Sequence, residues 1–282
     1  MTAEHLSAAS VVLLGHGTDL NAESAAAVRQ HVAELRRRRL FKDVQEAFWK
    51  QEPNIQTVLP QLTAAKVFIV PCFMSEGYFS EQVIPRALGF LGEGQVDFGR
   101  IQRRGNQSFV YCKPLGTHEG MSAVVLHRAR EIVERFPFPR APKLEELTLF
   151  IAGHGTEQNE NSRKSVDHQV ELLRTQGFYA DVQPLFLDQE PRIPRCYELG
   201  RTKNLVVVPF FTGDGLHVLE DIPVLLGEPE RIVKQRLQNG QPAWRNPTEK
   251  KGKRLWYSAS VGTDPVMADA IVELVREAAD WS

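Results

Sequence analysis

The sequence predicts an α/β protein made of two duplicated domains, each with three α/β/α layers around a mainly four-stranded parallel sheet. Identical residues recur at one constant spacing through both halves of the 282-residue chain, and that spacing is too long for a stack of small repeats. In each half, short apolar segments alternate with segments of helical periodicity. This alternation favours parallel strands with helices packed on both faces of the sheet.

The duplication is clearest at the turn Gly-His-Gly-Thr, which follows an apolar segment in both halves. His16 corresponds to His154, and 154 − 16 = 138. The same spacing holds without a gap as far as an Ile-Pro dipeptide in each half. Further identical pairs are Val28 and Val166, Val32 and Val170, Leu35 and Leu173, Phe48 and Phe186, Pro71 and Pro209, Gly77 and Gly215, and Pro85 and Pro223. We therefore predict an N-terminal domain over residues 1–140 and a C-terminal domain over residues 141–282.

The elements of each copy are predicted in the same order. An apolar strand runs into the Gly-His-Gly-Thr turn, and a helix with apolar positions three and four residues apart follows it. After a second strand, Gln-Glu-Pro is expected to open a helix, since proline is tolerated in a first turn. A third strand, another helix, a fourth strand and an amphipathic helix complete the copy. The predicted strands are 11–14, 44–49, 67–70 and 109–112 in the first copy and 147–151, 180–187, 205–208 and 256–259 in the second.

The third strand of the second copy is the most apolar and ends at Pro209, which cannot donate to a sheet ladder. The last helices are predicted over 124–136 and 266–278, and the proline-rich segment 137–142 is predicted to link the two copies. The second copy is longer by eight residues between Ile-Pro and the late Gly-Thr, since 262 − 223 = 39 and 116 − 85 = 31. We expect the extra residues to form a polar loop near 239–254.

Composition excludes several classes of protein. A net charge of −1 gives no general attraction to nucleic acid or to an anionic membrane surface. The three cysteines are scattered without a Cys-X-X-Cys pair, which argues against a zinc ribbon and an iron–sulfur cluster. No disulfide framework, signal peptide or membrane-length apolar segment is recognised, and no P-loop motif occurs. We therefore expect a cytoplasmic protein without nucleic-acid, membrane or organic-cofactor partners.

Chemistry-bearing side chains collect at predicted strand ends of the second copy. His154 follows the first strand, Glu190 follows the second, and His217 follows the third. Open α/β sheets place ligand sites at this edge, and two imidazoles with a carboxylate suit a divalent first-row metal. Asp221 lies one helical turn after His217 and is positioned to orient its ring, although it could equally be a helix-start carboxylate. Glu190 could likewise be only a carboxylate at a helix start.

The first copy lacks half of this set. Subtracting 138 places Phe79 opposite His217 and Val83 opposite Asp221. We therefore predict that metal chemistry belongs to the second copy, with His154, His217 and Glu190 as both the metal-binding and the catalytic residues. A role for His16 stays open at this stage.

The motifs Gly-His-Gly-Thr, FLDQEP, PFFTGDGLHVLEDIP and WYSASVGTDP resemble those of the CbiX-type sirohydrochlorin chelatases, which are class II chelatases. The resemblance covers both copies, and the stretch around His217 is its most specific part. It implies a chelatase-like fold in each copy and insertion of a metal into sirohydrochlorin or a related tetrapyrrole. His154 and His217 would act at the metal, and Glu190 would be the acidic residue that assists them. The first copy departs from the family pattern at Phe79.

The resemblance implies a lyase-type metallochelatase of cobalamin or siroheme biosynthesis, with cobalt as the expected metal substrate and iron or nickel as alternatives. A non-catalytic tetrapyrrole- or metal-binding protein derived from a chelatase is the second hypothesis. A histidine phosphatase is disfavoured because glycine precedes both turn histidines where a phosphate-binding arginine would be needed. Basic residues at 192, 195, 201 and 203 are candidates for holding the substrate's carboxylates. The chain could act as a monomer with two internal domains or as a homodimer.

Overall fold

The computed structural model describes residues 6–18, 23–156 and 160–281. The chain forms two compact units. The first unit comprises Met1–Met121 and Pro265–Ser282, and the second comprises Ser122–Asp264. Within the described residues, each unit contains one five-stranded, mostly parallel sheet.

The first unit is built on strands β1 to β5, which lie in the order β2-β1-β3-β5-β4. Strands β2, β1, β3 and β5 pair in parallel, and β4 pairs antiparallel with β5 at the edge. Every residue of β1 is buried, as expected for an apolar strand covered on both faces. The strands are β1 Ser10–Gly15, β2 Asp43–Phe48, β3 Lys66–Pro71, β4 Ile101–Arg104 and β5 Gln107–Tyr111.

The second unit repeats this topology in strands β6 to β10, in the order β7-β6-β8-β10-β9. Strand β9 is the antiparallel edge strand, and the other four are parallel. The core lies beside the central strands, where Phe150, Ala152, Leu205 and Val207 are fully buried. The strands are β6 Leu147–Gly153, β7 Asp181–Phe186, β8 Asn204–Pro209, β9 Thr248–Lys250 and β10 Lys253–Tyr257.

Helices connect the strands of both sheets. Those of the first half are α1 Glu23–Arg38, α2 Ile55–Val58, α3 Ile84–Ala87 and α4 Met121–Arg135. Those of the second half are α5 Asn161–Gln176, α6 Cys196–Leu199, α7 Ile222–Leu225, α8 Glu230–Gln238 and α9 Met267–Ala279. The predicted α/β class, the duplication and the four parallel strands per copy are confirmed.

One structural expectation was wrong, and the edge strands of the two sheets were not predicted. Gln-Glu-Pro does not open a helix, because α2 begins at Ile55 and is capped by the side chain of Asn54, after the proline. Each sheet also has an antiparallel fifth strand that apolar patterning did not indicate, because edge strands are polar on their exposed side. In the second copy, the segment expected to be a polar loop contains part of this edge: β9 and the start of β10 fall within 239–254.

The last helix of each copy does not belong to the compact unit of its own sheet. Helix α9 lies in the first unit, where Lys66 Nζ donates to the carbonyl of Ala279 at 3.3 Å. Helix α4 lies in the second unit, where Trp256 Nε1 donates to the carbonyl of Phe136 at 2.8 Å. The compact units therefore follow the packing of exchanged helices, whereas the domain boundary proposed at residue 140 follows the sequence repeat and stays a prediction.

A search of the described residues finds no helix that is both long and apolar enough to cross a membrane.

Candidate metal site

His154 is positioned by the turn that leaves strand β6. Gly155 adopts a φ of 61°, a conformation that favours glycine. A Cβ atom at Gly155 would lie 2.8 Å from the Cβ of Phe186, so the backbone approaches β7 closely. The backbone N–H groups of Leu187 and Asp188 donate to the carbonyl of His154 at 3.0 and 3.2 Å. The segment after β7 is thus fixed against the histidine turn.

His217 begins a π-helical turn, His217–Asp221, that follows the glycine-containing loop after β8. Its Nδ1 lies 2.6 Å from Oδ2 of Asp221. An ionised carboxylate can only accept a hydrogen bond, so Nδ1 carries the proton and Nε2 keeps the lone pair that can bind a metal. The prediction that one helical turn would bring His217 and Asp221 together is confirmed.

The two histidines of the second copy are neighbours. The ring centroids of His154 and His217 lie 5.1 Å apart with an interplanar angle of 83°. The side chains are 43% and 48% exposed, so both imidazoles are accessible to an incoming ion. The edge of the parallel sheet therefore presents a pair of imidazoles, as expected for neighbouring strand ends.

Acidic groups surround this pair. Asp188 Oδ2 lies 3.5 Å from Nδ1 of His154, so each histidine has an aspartate beside its Nδ1 atom. An open cavity of ≈ 430 Å³ is lined by His217 together with four acidic side chains, those of Asp188, Glu220, Asp221 and Glu230. Carboxylates grouped at one opening attract a divalent cation. Asp221 was named among the candidate residues from the sequence and Asp188 was not; its place two residues after a strand end was the signal available for it.

Glu190 is engaged by basic residues of its own segment. Its Oε2 accepts the backbone N–H of Arg192 at 3.2 Å and lies 3.5 Å from the guanidinium of Arg195. Within the described part of the chain, Glu190, His154 and His217 do not form a compact three-ligand group. The structure thus brings together two of the three predicted residues, and a role for Glu190 at the metal stays a prediction.

Buried polar contacts fix the loop and turn that carry His217. Asp214 accepts hydrogen bonds from the Ser260 backbone at 2.7 Å and from the Thr263 hydroxyl at 3.0 Å. Tyr257 donates its hydroxyl to the carbonyl of Val218 at 2.7 Å. Burial, together with the nearby Asp214 charge, raises the pKa of Tyr257 well above its ordinary value, so the phenol keeps this proton. These residues were not recognised from the sequence, because their contacts are distant along the chain.

The corresponding place in the first copy has different chemistry. The His16 ring packs against Phe79 with centroids 4.7 Å apart, where the second copy has the paired histidine. Lys50 corresponds to Asp188, since 188 − 138 = 50, and its Nζ lies 5.3 Å from the centre of the Phe79 ring. An aromatic ring and an ammonium group therefore stand where the second copy has an imidazole and a carboxylate.

Another group in the second unit has the composition of a metal site. His127, Glu131 and Asp264 are the one set of three potential ligands found close together among the described residues. However, Arg128 lies among them, with Nε 3.1 Å from Asp264 and its terminal nitrogen 2.8 Å from Glu131. Because the guanidinium already neutralises these carboxylates, the arrangement is better explained as an ion-pair network.

Comparisons with known proteins agree with the fold and the duplication. The CbiX family model matches twice, over residues 10–132 and 148–278. The chain is 35% identical over 279 residues to a probable sirohydrochlorin cobaltochelatase from Halobacterium salinarum, covering 95% of this chain and 91% of the relative.

Solved structures with the same fold include DR2241 from Deinococcus radiodurans, a multi-domain protein with structural similarity to chelatases. Its TM-score is 0.76 and its identity 27%; the match covers 96% of this chain but 55% of DR2241. SirB from Bacillus subtilis with Fe³⁺ has a TM-score of 0.66 and 18% identity over 96% of this chain and 95% of SirB, which supports the fold alone. Two family matches and one relative of nearly full length lead to one conclusion: the chain belongs to the CbiX family, a family of metallochelatases.

Proposed function

We propose that this protein inserts a divalent metal, with cobalt as the main substrate, into sirohydrochlorin or a closely related tetrapyrrole. The observation that carries the proposal is the accessible pair His154 and His217 in the second copy, each with an aspartate beside Nδ1. Cobalt is favoured over iron or nickel by the similarity to the probable cobaltochelatase. A cytoplasmic location and the absence of an organic cofactor remain parts of this proposal.

The chemistry follows from the two histidines. Neutral imidazole nitrogens bind the divalent ion weakly enough to release it to a ring that offers four nitrogens. Insertion exchanges the metal for the two N–H protons of the free macrocycle. The histidines accept these protons as the metal leaves, and Asp188 and Asp221 stabilise the imidazolium ions that form. Glu190 is retained as a candidate third group whose contribution has to be measured.

The test is an anaerobic absorbance assay with sirohydrochlorin and Co²⁺, Fe²⁺ or Ni²⁺, each compared with a protein-free control. We expect spectral conversion over several turnovers at substoichiometric protein, fastest with Co²⁺. A change that stops at one equivalent of protein, without faster insertion, would contradict the enzymatic proposal and favour a binding protein. Equal acceleration by all three metals would contradict the preference for cobalt.

A further inference from the structure

A second cavity of the C-terminal unit lies against the turn that carries His217. Its volume is ≈ 560 Å³, and it is lined by the end of α4, by the segment from Arg236 to Asn246, and by Val218 and Leu219. We call it the arginine-rimmed pocket because Arg135, Arg236 and Arg245 all line it. The first unit has no helix corresponding to α8, since none occurs between α3 and β4 in the described residues. The pocket is therefore a feature of the compact unit that contains the histidine pair.

The charge of the arginine-rimmed pocket favours an anion. Of the three guanidinium groups, that of Arg236 is already paired with Glu228 at 2.8 Å. The one lining carboxylate is that of Asp214. That carboxylate already accepts hydrogen bonds from Ser260 and Thr263, which offset part of its charge. An acidic ligand therefore meets an excess of positive charge here, unlike in the acidic cavity beside His217.

Two of the three arginines have no carboxylate partner among the residues that the structure describes. Arg135 and Arg245 are exposed and make no ion pair within the described part of the chain. A ligand carboxylate would therefore meet two guanidinium groups that can pair with it.

The remaining lining is apolar and partly aromatic, with Phe136, Leu219, Pro242 and Trp244 among its members. Apolar walls do not favour a small, fully hydrated anion, because its polar surface would lose water without replacement. They favour a planar, largely apolar ligand whose carboxylates can reach the arginines. By contrast, three of the basic residues that the sequence offered as partners for the substrate's carboxylates are engaged by their own chain. Arg192 contacts backbone carbonyls, Arg195 pairs with Glu198, and Arg201 pairs with Asp181.

We infer that the arginine-rimmed pocket binds a planar polycarboxylate, in the form of a carboxylate-bearing edge of the tetrapyrrole. The choice of a tetrapyrrole rests on the proposed function, whereas the need for an apolar, acidic ligand rests on the pocket itself. Leu219 lies in the same turn as His217, so a ligand seated in the pocket contacts the element that positions a metal-binding ring. Arg135 and Arg245 are the residues that hold its carboxylates.

Metal-free uroporphyrin, a planar ring with eight carboxylates, is a suitable probe because its binding requires no insertion. Its fluorescence anisotropy would be followed during titration with the full-length protein, the variants Arg245→Ala and Arg135→Ala, and the control Arg231→Ala. Arg231 is an exposed arginine on α8 that does not line the pocket. We expect the Kd to rise about tenfold in Arg245→Ala and in Arg135→Ala, because each variant loses one charge-assisted contact to a carboxylate. Arg231→Ala should bind like the unmodified protein.

An unchanged Kd in both pocket variants, with melting temperatures like that of the unmodified protein, would overturn the inference. Displacement of uroporphyrin by equimolar citrate would contradict the requirement for a planar ligand, since citrate offers carboxylates without a ring. The outcome is separable from the proposed function. Variant-sensitive porphyrin binding without metal insertion would refute only the chelatase, and insertion with variant-independent binding would refute only the pocket.

Discussion

At the scale of single residues, the site depends on the carboxylates that contact the Nδ1 atoms of the histidines. Asp221 lies 2.6 Å from His217 Nδ1 and fixes the tautomer with Nε2 available. Asp188 Oδ2 lies 3.5 Å from His154 Nδ1, and the same nitrogen lies 3.4 Å from the carbonyl oxygen of Gly155. The His154 ring is therefore held less firmly by its aspartate than the His217 ring.

Asp221→Asn tests this orienting role. An amide can still accept a hydrogen bond, but it no longer supplies the negative charge that raises the basicity of the imidazole. We expect Co²⁺ affinity to fall by about 10–100-fold, measured by isothermal titration calorimetry. Asp167→Asn changes an exposed aspartate paired with Arg163 and serves as the control. Equal affinities for both variants would show that Asp221 only caps the turn.

The comparison of Asp188→Asn with Glu190→Gln decides which acidic residue assists His154. Because Glu190 is engaged by Arg192 and Arg195, we expect its loss to change the rate of metal insertion less than the loss of Asp188. Initial insertion rates under one set of conditions provide the measurement. A larger defect in Glu190→Gln would instead support the role that the motif predicts for Glu190.

The sequence could predict the histidines but not the identity of their carboxylate neighbours. His154 and His217 follow strands whose ends must meet at one sheet edge, so their proximity follows from topology. Asp188 and Glu190 are two residues apart after the same strand, and only the three-dimensional path separates them. That path depends on backbone hydrogen bonds between residues 187–188 and His154, which no local pattern reveals.

At the scale of elements, each copy ties its π-helical turn to the sheet through a buried tyrosine. Tyr257 donates to the carbonyl of Val218, and Tyr111 donates to the carbonyl of Ser80 at 2.8 Å in the first copy. The two hydrogen bonds are equivalent in the repeat, but only the first of them anchors a turn that carries a histidine of the pair. This gives a matched pair of variants.

We expect Tyr257→Phe and Tyr111→Phe each to lower the free energy of unfolding by about 1–3 kcal/mol, because each leaves a buried carbonyl without this donor. Only Tyr257→Phe should also weaken Co²⁺ binding, since it frees the turn that positions His217. Denaturant unfolding and metal titration measure the two effects. Weakened metal binding in Tyr111→Phe as well would point to a general loss of stability instead.

Other elements show where the hydrophobic pattern of the sequence no longer predicts the secondary structure. The buried parallel strands were predicted because residues covered on both faces must be apolar. The antiparallel strands β4 and β9 escaped prediction because they are short and polar at the sheet edge. Gln-Glu-Pro suggested a helix start by its proline, yet the side chain of Asn54 provides the cap one residue later.

At the scale of the whole molecule, duplication has left two equivalent places with different chemistry. An imidazole pair with carboxylates occupies one, and His16, Phe79 and Lys50 occupy the other. The repeat could be predicted because its spacing persists over much of the chain. The exchange of α4 and α9 between compact units could not, since it depends on packing rather than on the order of elements.

Buried thiols and phenols in both units predict how the fold responds to alkali. Burial raises the pKa values of Cys112 and Cys196 to about 12, and it also raises those of Tyr111, Tyr197 and Tyr257. In the unfolded chain these groups lose their protons near pH 8.5 for cysteine and about 10 for tyrosine. Above these values the unfolded state binds fewer protons, so the free energy of unfolding falls as pH rises.

We expect the melting temperature to be constant near pH 8 and to fall progressively above about pH 9. Tyrosinate absorbance from the buried phenols should appear together with the loss of circular dichroism. The measurement is a parallel pH titration by both methods. Ionisation of these phenols in a protein with intact circular dichroism would contradict their burial in the folded state.

We propose that the second copy alone performs metal insertion. The initial rate of Co²⁺ insertion into sirohydrochlorin, measured for His217→Phe and His16→Ala, tests this proposal. The first variant gives the second copy the aromatic residue that the first copy has at Phe79. We expect His217→Phe to abolish insertion while the melting temperature is retained, and His16→Ala to insert cobalt at nearly the unmodified rate. Equal losses in the two variants would contradict the claim.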